Sequence, residues 1–372
     1  MATDFGREVL PYGVFSVGDG ARRVGVAVDE GVLDLAEALG PEWATASLNS
    51  FLGRGREHWA SVRQQVRQLL DRPLVPSADV RLHLPFEVAD FVDFYASEQH
   101  ATNLGRILRP DSAALLPNWR HLPVGYHGRA GTVVVSGTDV RRPCGLRAPG
   151  PSYGPTQRLD VEVEVGFVVG TPSTLGIPVP VQDFQEHVFG VVLVNDWSAR
   201  DIQSFEYVPL GPFLGKSFAT SISPWVVPLE ALDRVPAPVQ DPPVAAYLHG
   251  GRDWGLNLTL SLALNGEVVS RPPFAGLYWT APQLLAHLTA NGAALRTGDL
   301  FASGTVSGDG HDERGSLIEL TWNGREPLTL GGSRRTFLED GDEVVISART
   351  GRGLPLGEVT GRVLPARQAA DS

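Results

Sequence analysis

The sequence predicts a mainly β fold with some α, in two units that divide near residue 85. Three observations carry that expectation. The 42 glycines and 29 prolines form roughly a fifth of the 372 residues, a turn-rich surplus over the ~12% of an average chain, and it argues against a helix bundle. No low-complexity repeat accompanies them, so they belong to turns inside a fold rather than to a linker. Apolar residues make up 42% of the chain, far too many for a disordered protein, and several short stretches alternate at period two.

Within residues 1–85, apolar stretches at 14–17, 23–28 and 31–35 are separated by Gly-rich turns. Trp59, Val62, Val66 and Leu69 then recur at helical spacing. This pattern predicts a small β-barrel or roll with an appended helix. Pro73 and Pro76 punctuate the chain, and Leu84-Pro85 marks the boundary with a larger β-dominated domain. There, residues 158–169 alternate, with Leu159, Val161, Val163, Val165 and Phe167 on one face and Asp160, Glu162, Glu164 and Gly166 on the other. Residues 191–195 read as a short buried strand. Residues 256–270 read as a hairpin turned at Asn265-Gly266. A helix is expected over 282–289, with Pro282 in its first turn and Asn291-Gly292 after its end. Strands at 300–306, 316–322 and 343–348 complete the inventory, Asn323-Gly324 supplies a further tight turn, and residues 367–372 are expected to fray.

Charge and motifs exclude several functions. The formal charge is −11 and no basic run tracks a phosphate backbone, which opposes nucleic-acid and anionic-membrane partners. A single cysteine, Cys144, permits no intrachain disulfide and suits a reducing compartment, the cytoplasm. Residues 1–10 carry Asp4 and Glu8 without the apolar core of a signal peptide. The apolar stretch at 188–194 is far short of a membrane span. Residues 211–217 resemble a phosphate loop but have one residue too few between the glycines, and Pro212 lacks the amide such a loop needs. In 304–308 the serine is displaced by one position from a nucleophile elbow.

Three acidic features remain. Glu162 and Glu164 share one strand face roughly 7 Å apart, where two carboxylates repel unless something compensates them. A half-solvated strand with one polar face is the plainer reading. Asp196, at the mouth of a buried strand, either pairs with Arg200 or coordinates a cation. Asp93 reads as an N-cap, which would place it and His100 on one helix face roughly 10 Å apart. The loop at 122–129 presents Tyr126 and Arg129, and an ordinary turn accounts for it equally.

Taken together, DFYASEQHATN at 93–103, LLPNW at 115–119, LPVGYHGR at 122–129, NDWSARDIQ at 195–203, EYVPLGPFLGKSF at 206–218, ASGT at 302–305 and FLEDGDEV at 337–344 are similar to the fumarylacetoacetate hydrolase family. The likeness spans about 90–365, and the two long runs from 195 to 218 are its most specific part. The resemblance implies an SH3-like β-barrel over 1–85 and a catalytic mixed β-sandwich or roll of the fumarylacetoacetate hydrolase type over 86–372.

The resemblance also implies a centre for Ca2+ or Mg2+ at Asp93, Glu162, Glu164 and Asp196, with Lys216 and Thr220 in its neighbourhood. An all-oxygen set of converging carboxylates suits such a hard ion. It implies His100 as the base, oriented by Glu319, and places Arg200, Gln203 and Lys216 at the carbonyl oxygen under attack. Substrate-binding positions fall on Tyr95, Arg109, Tyr126, Gln203, Tyr207 and Thr305. The implied reaction is hydrolysis of a C–C bond in a small β-diketone acid, 4-fumarylacetoacetate, in tyrosine and phenylalanine breakdown, by a cytoplasmic homodimer. A hydrolase of a related acylpyruvate or β-diketone acid is the alternative on the same fold. A silent cation-binding scaffold is the alternative from another class, and it would need neither His100 nor Glu319.

Overall fold

The computed structural model describes residues 5–367. Residues 1–4 lie outside the description, as do residues 368–372 of the segment expected to fray. Among the described residues, thirteen strands join into one sheet. Its central part runs in the order Tyr12–Val17, Trp225–Pro228, Val188–Asp196, Val163–Val169, Leu300–Ala302, Phe91–Phe94 and Gly125–His127. A second sheet has five strands, ordered Glu267–Ser270, Leu258–Leu264, Glu343–Thr350, Pro355–Leu364 and Val140–Arg141. The mainly β character with some α is therefore present throughout.

The N-terminal stretches form the strands Tyr12–Val17, Arg23–Val28 and Gly31–Asp34, and the helix Arg56–Gln68 buries Trp59, Val62 and Val66. No closed barrel forms among the described residues. The first strand pairs with Arg23–Val28 on one side, and with Val80–His83 and Trp225–Pro228 on the other. An exposed strand edge that can pair across the boundary has no need to close on itself. Gly13 permits the junction, because a Cβ there would come within 2.5 Å of the Trp225 ring.

The central sheet is buried on both faces, which explains its nearly continuous apolar runs. Val165, Phe167, Val191 and Leu193 face one core, shared with Leu260, Ile346 and Val359 of the second sheet. Val168, Val192, Val194 and Leu300 face the other, shared with Trp59 and Val62 of the N-terminal helix. The expected wet face at 158–169 is thus absent. That stretch divides into Leu159–Asp160 and Val163–Val169, with every residue of both buried.

The hairpin turns at Asn265-Gly266 as expected, with φ of 51° and 84°. The helix expected at 282–289 runs Ala281–Thr289. Only Leu300–Ala302 of the expected 300–306 strand is extended. Gly304 then turns with φ +74°, where a Cβ would lie 2.1 Å from the Phe94 carbonyl oxygen. The expected strand at 316–322 is instead a helical turn, Leu317–Leu320. It begins where the Asp160 carboxylate accepts the Leu317 and Ile318 amides, and it ends in positive-φ residues Trp322, Asn323 and Gly324. The strand Pro355–Leu364 is missing from the sequence reading, because Gly357, Glu358, Gly361 and Arg362 interrupt its apolar pattern. No helix among the described residues is long and apolar enough to cross a membrane.

Candidate active site

Strand register assembles the acidic cluster. Paired residues share a sheet face, and each strand returns to that face every second residue. Asp93 pairs with Ala302, Ala302 with Gly166, and Gly166 with Val192. Two residues from Gly166 stands Glu164, and four residues from Val192 stands Asp196, so Asp93, Glu164 and Asp196 share one face. Glu162, just before the strand, joins them. All four are buried, and one oxygen from each lies within 4.8 Å of the others. Asp93 does not cap a helix. It lies in the strand Phe91–Phe94, and Ser97 caps the following helix Glu98–Leu108 by accepting the His100 amide at 3.2 Å.

The cluster has two electrostatic halves. Glu162 is paired with Lys216 and, at 2.6 Å, with Arg200. Burial alone would raise its pKa, but Arg200, Lys216 and His100 outweigh that and hold it below the ordinary carboxylate range. On the other side, both Glu164 oxygens and Asp93 Oδ1 are buried without a hydrogen-bond partner. Burial pushes Glu164 and Asp93 well above the ordinary range, and the neighbouring carboxylates add to the rise. Asp196 Oδ2 accepts from Tyr126 at 2.8 Å and Lys216 at 2.6 Å, and Oδ1 accepts from Thr220 at 3.1 Å. Unpartnered carboxyl oxygens converging in a dry interior fit a hard divalent cation.

These shifts predict a pH dependence. The folded, metal-free chain keeps protons on Asp93 and Glu164 that the unfolded chain releases, so its stability falls as pH rises from the ordinary carboxylate range toward the raised values. A cation must displace those protons, so its binding releases protons and weakens as pH falls. Calorimetric titration with Ca2+ near neutral pH in buffers of unlike ionisation enthalpy measures the release. Identical heats in both buffers contradict it.

His100 is 2% exposed. Its Nδ1 lies 2.7 Å from Glu319 Oε2, and its Nε2 stands 3.9 Å from Glu162 Oε1, toward the cluster. Glu319 also accepts from Asn103 at 2.9 Å, Ser307 at 3.0 Å and Ser316 at 2.7 Å. Burial would raise its pKa, but His100 and these donors outweigh it and lower it. The ring is therefore fixed with Nδ1 toward a carboxylate, leaving Nε2 for chemistry. Tyr95 meets the His100 ring edge-on at 5.3 Å between centres.

Asp160 ties these parts together. Besides accepting the Leu317 and Ile318 amides at 2.8 and 3.1 Å, it accepts Arg200 Nε at 2.8 Å. Of the two readings of Asp196, the ion pair with Arg200 does not form: Arg200 serves Asp160 and Glu162, while Lys216 serves Asp196. One buried carboxylate thus positions both the guanidinium and the helical turn bearing Glu319. Asp160→Asn leaves Arg200 short of a buried counter-charge and is expected to lower the unfolding free energy by about 3 kcal/mol. Urea denaturation checks this, and an unchanged midpoint contradicts it.

Three of the six expected substrate residues line two clefts. Gln203 and Tyr207 line one with Arg200, Leu104 and Ile318. Tyr126 lines the other with Lys216, His127 and Phe213. Arg200 in one cleft and Lys216 in the other both pair with Glu162 of the cluster. Thr305 Oγ1 is buried without a partner. Arg109 lines neither cleft; its NH2 donates to the Ala114 carbonyl at 3.3 Å, and its Nε is unpartnered. Sequence reasoning misses Asp160, Ser307 and Ser316 as site residues. Asn103 was available, being one helical step from His100.

Residues 90–364 match the family described as fumarylacetoacetate (FAA) hydrolase C-terminal, and residues 8–85 match fumarylacetoacetase N-terminal. The chain is 46% identical to the fumarylacetoacetase of Rattus norvegicus, with 99% of this chain and 98% of that protein covered. It is 46% identical to that of Homo sapiens, covering 98% and 97%, and 42% identical to that of Oryza sativa subsp. japonica, covering 96% and 94%. Among solved structures, a fumarylacetoacetate hydrolase from psychrophilic Exiguobacterium antarcticum superposes with a TM-score of 0.60 at 20% identity, covering 96% of this chain and 100% of that one. A maleylpyruvate hydrolase from Sphingobium does so with a TM-score of 0.57 at 17% identity, again covering 96% and 100%. At those identities the structural likeness is one of fold alone. The sequence matches go further: both parts of the chain are matched in order, and animal and plant relatives are covered nearly end to end, so the chain belongs to the fumarylacetoacetate hydrolase family.

Proposed function

We propose that this chain hydrolyses the C–C bond of 4-fumarylacetoacetate, giving fumarate and acetoacetate in tyrosine and phenylalanine breakdown. Its relatives named fumarylacetoacetase support the substrate. The observation that carries the chemistry is a buried imidazole with Nδ1 fixed by Glu319 and Nε2 turned toward the carboxylate cluster.

A Ca2+ or Mg2+ ion held by Asp93, Glu162, Glu164 and Asp196, beside Lys216 and Thr220, would supply Lewis-acid polarisation of a substrate carbonyl. His100 takes a proton from water at Nε2, with Glu319 stabilising the imidazolium that forms. The water oxygen adds to the carbonyl carbon on the fumaryl side, and Arg200, Gln203 and Lys216 stabilise the negative oxygen. When that carbonyl re-forms, the C–C bond breaks and its electron pair leaves with the acetoacetate carbon. This carbon takes a proton from the His100 imidazolium or the Lys216 ammonium, and the added oxygen stays in the new fumarate carboxylate. Tyr95, Arg109, Tyr126, Tyr207 and Thr305 hold the substrate, with Arg109 for its carboxylate end.

We assign residues 1–85 to an N-terminal unit and 86–372 to the catalytic unit. The family resemblance supports a homodimer, and the lone Cys144 supports the cytoplasm. Incubation with fumarylacetoacetate tests the reading: the diketone absorbance disappears and equimolar fumarate and acetoacetate accumulate. Unchanged fumarylacetoacetate, with cleavage of a different acylpyruvate, overturns it.

A further inference from the structure

A cavity of about 300 Å³ lies where the N-terminal residues meet the large domain, and none of its lining residues belongs to the acidic cluster. Tyr12, Trp59 and Arg63 line it from the N-terminal side, and Phe189, Arg234 and Trp254 from the other. Four aromatic side chains, Tyr12, Trp59, Phe189 and Trp254, contribute to a lining that is otherwise mixed polar and aliphatic. Tyr12 and Trp59 meet Phe189 edge-on at 5.5 and 5.3 Å between centres, and Arg234 lies over Trp254 at 4.4 Å.

The cavity also carries uncommitted polarity. The Tyr12 hydroxyl is buried with no hydrogen-bond partner, on a residue 1% exposed. Arg63 is 3% exposed; its terminal nitrogens donate to the carbonyls of Glu8 and Val9, but its Nε makes no hydrogen bond. Glu230 Oε2 stands 3.6 Å from that Nε, on a side chain 53% exposed. Arg234 has no ion pair among the described residues. Arg56 also lines the cavity, but Glu186 holds it at 2.5 Å. Positive charge therefore exceeds negative here, beside edge-on rings and two buried donors without hydrogen-bond acceptors.

We infer that this seam cavity binds a small aromatic carboxylate. Its ring lies among Trp59, Phe189 and Trp254, where ring contacts favour edge-on and offset geometries. Its carboxylate pairs with the exposed Arg234, on the side of the cavity near the buried Tyr12 hydroxyl and Arg63 Nε. The volume is at the small end of ligand pockets, which suits a single-ring acid. The assignment is independent of the catalytic reading.

Calorimetric titration of the full-length protein with phenylacetate, phenethylamine and acetate tests it. Phenylacetate, which has both ring and charge, is expected to bind saturably with one site per chain, at least about 10-fold tighter than the other two. Tyr12→Phe keeps the ring and removes the donor, and should weaken phenylacetate by about 3–10-fold. Arg234→Met should weaken it by about 10-fold. Both variants should turn over substrate as the unmodified protein does, and Tyr207→Phe should leave phenylacetate binding unchanged. Equal affinities for the three probes or no saturable binding overturns the inference. So does binding that Tyr207→Phe removes and Tyr12→Phe spares, which would place the acid in the catalytic cleft.

Discussion

His100→Ala is expected to lower turnover by about 10²–10⁴-fold while the protein remains folded. The two halves of that expectation come from the same geometry. The imidazole is the group whose Nε2 faces the cluster with Nδ1 already held, so its loss removes the base. Glu319 nevertheless keeps three donors, Asn103, Ser307 and Ser316, and is not left as an unpaired buried charge. Glu319→Gln should reduce turnover in the same direction, because an amide at that point no longer stabilises the imidazolium. Steady-state kinetics beside near-ultraviolet circular dichroism separates the two effects. Near-full turnover in a folded His100→Ala protein contradicts the assignment.

Glu164→Gln carries the second large effect, and its sign depends on the metal. Chelation of the unmodified protein should abolish turnover, with Ca2+ or Mg2+ restoring it. In Glu164→Gln, cation affinity should fall by about 100-fold, since one of four anionic ligands is lost. The metal-free variant, by contrast, should melt at or above the metal-free parent near neutral pH. Glu164 there is a buried acid raised by desolvation and by Asp93 and Asp196, and an amide removes that cost. Saturating Ca2+ should reverse the order, because only the parent gains fully from binding. Thermal melts with and without Ca2+ measure both signs, and the same order in both conditions contradicts the account.

The legible parts of the site were those whose chemistry clashes with local pattern. Glu162 and Glu164 alternate with valines, and Asp196 ends an apolar run, so each stood out along its own strand. Asp160 obeyed the same alternation, yet its partners are Arg200 and two amides about 157 residues away, and no local spacing encodes those. Asp93 was legible as an acid but misplaced on a helix. The parallel pairing of Phe91–Phe94 with Leu300–Ala302 decides its strand conformation, and that partner is distant in the chain. Glu319 pairs with His100 as the resemblance implies, but its backbone is misread for a related reason: residues 316–322 read as a strand, whereas Asp160 caps a helical turn there. In the fold, strands and hairpins with their own turn residues were readable. The N-terminal barrel was not, because its first strand completes its edge with Trp225–Pro228.

Four carboxylates from three segments of the chain are proposed to form one cation site beside His100. Mn2+ favours the same oxygen ligands and can be located by its anomalous scattering, so a crystal soaked in Mn2+ addresses the claim most directly. One strong peak is expected among the oxygens of Asp93, Glu162, Glu164 and Asp196, on the side toward which His100 Nε2 points. An active crystal with no peak there, and with the Glu164 oxygens and Asp93 Oδ1 still lacking a partner, would contradict such a site.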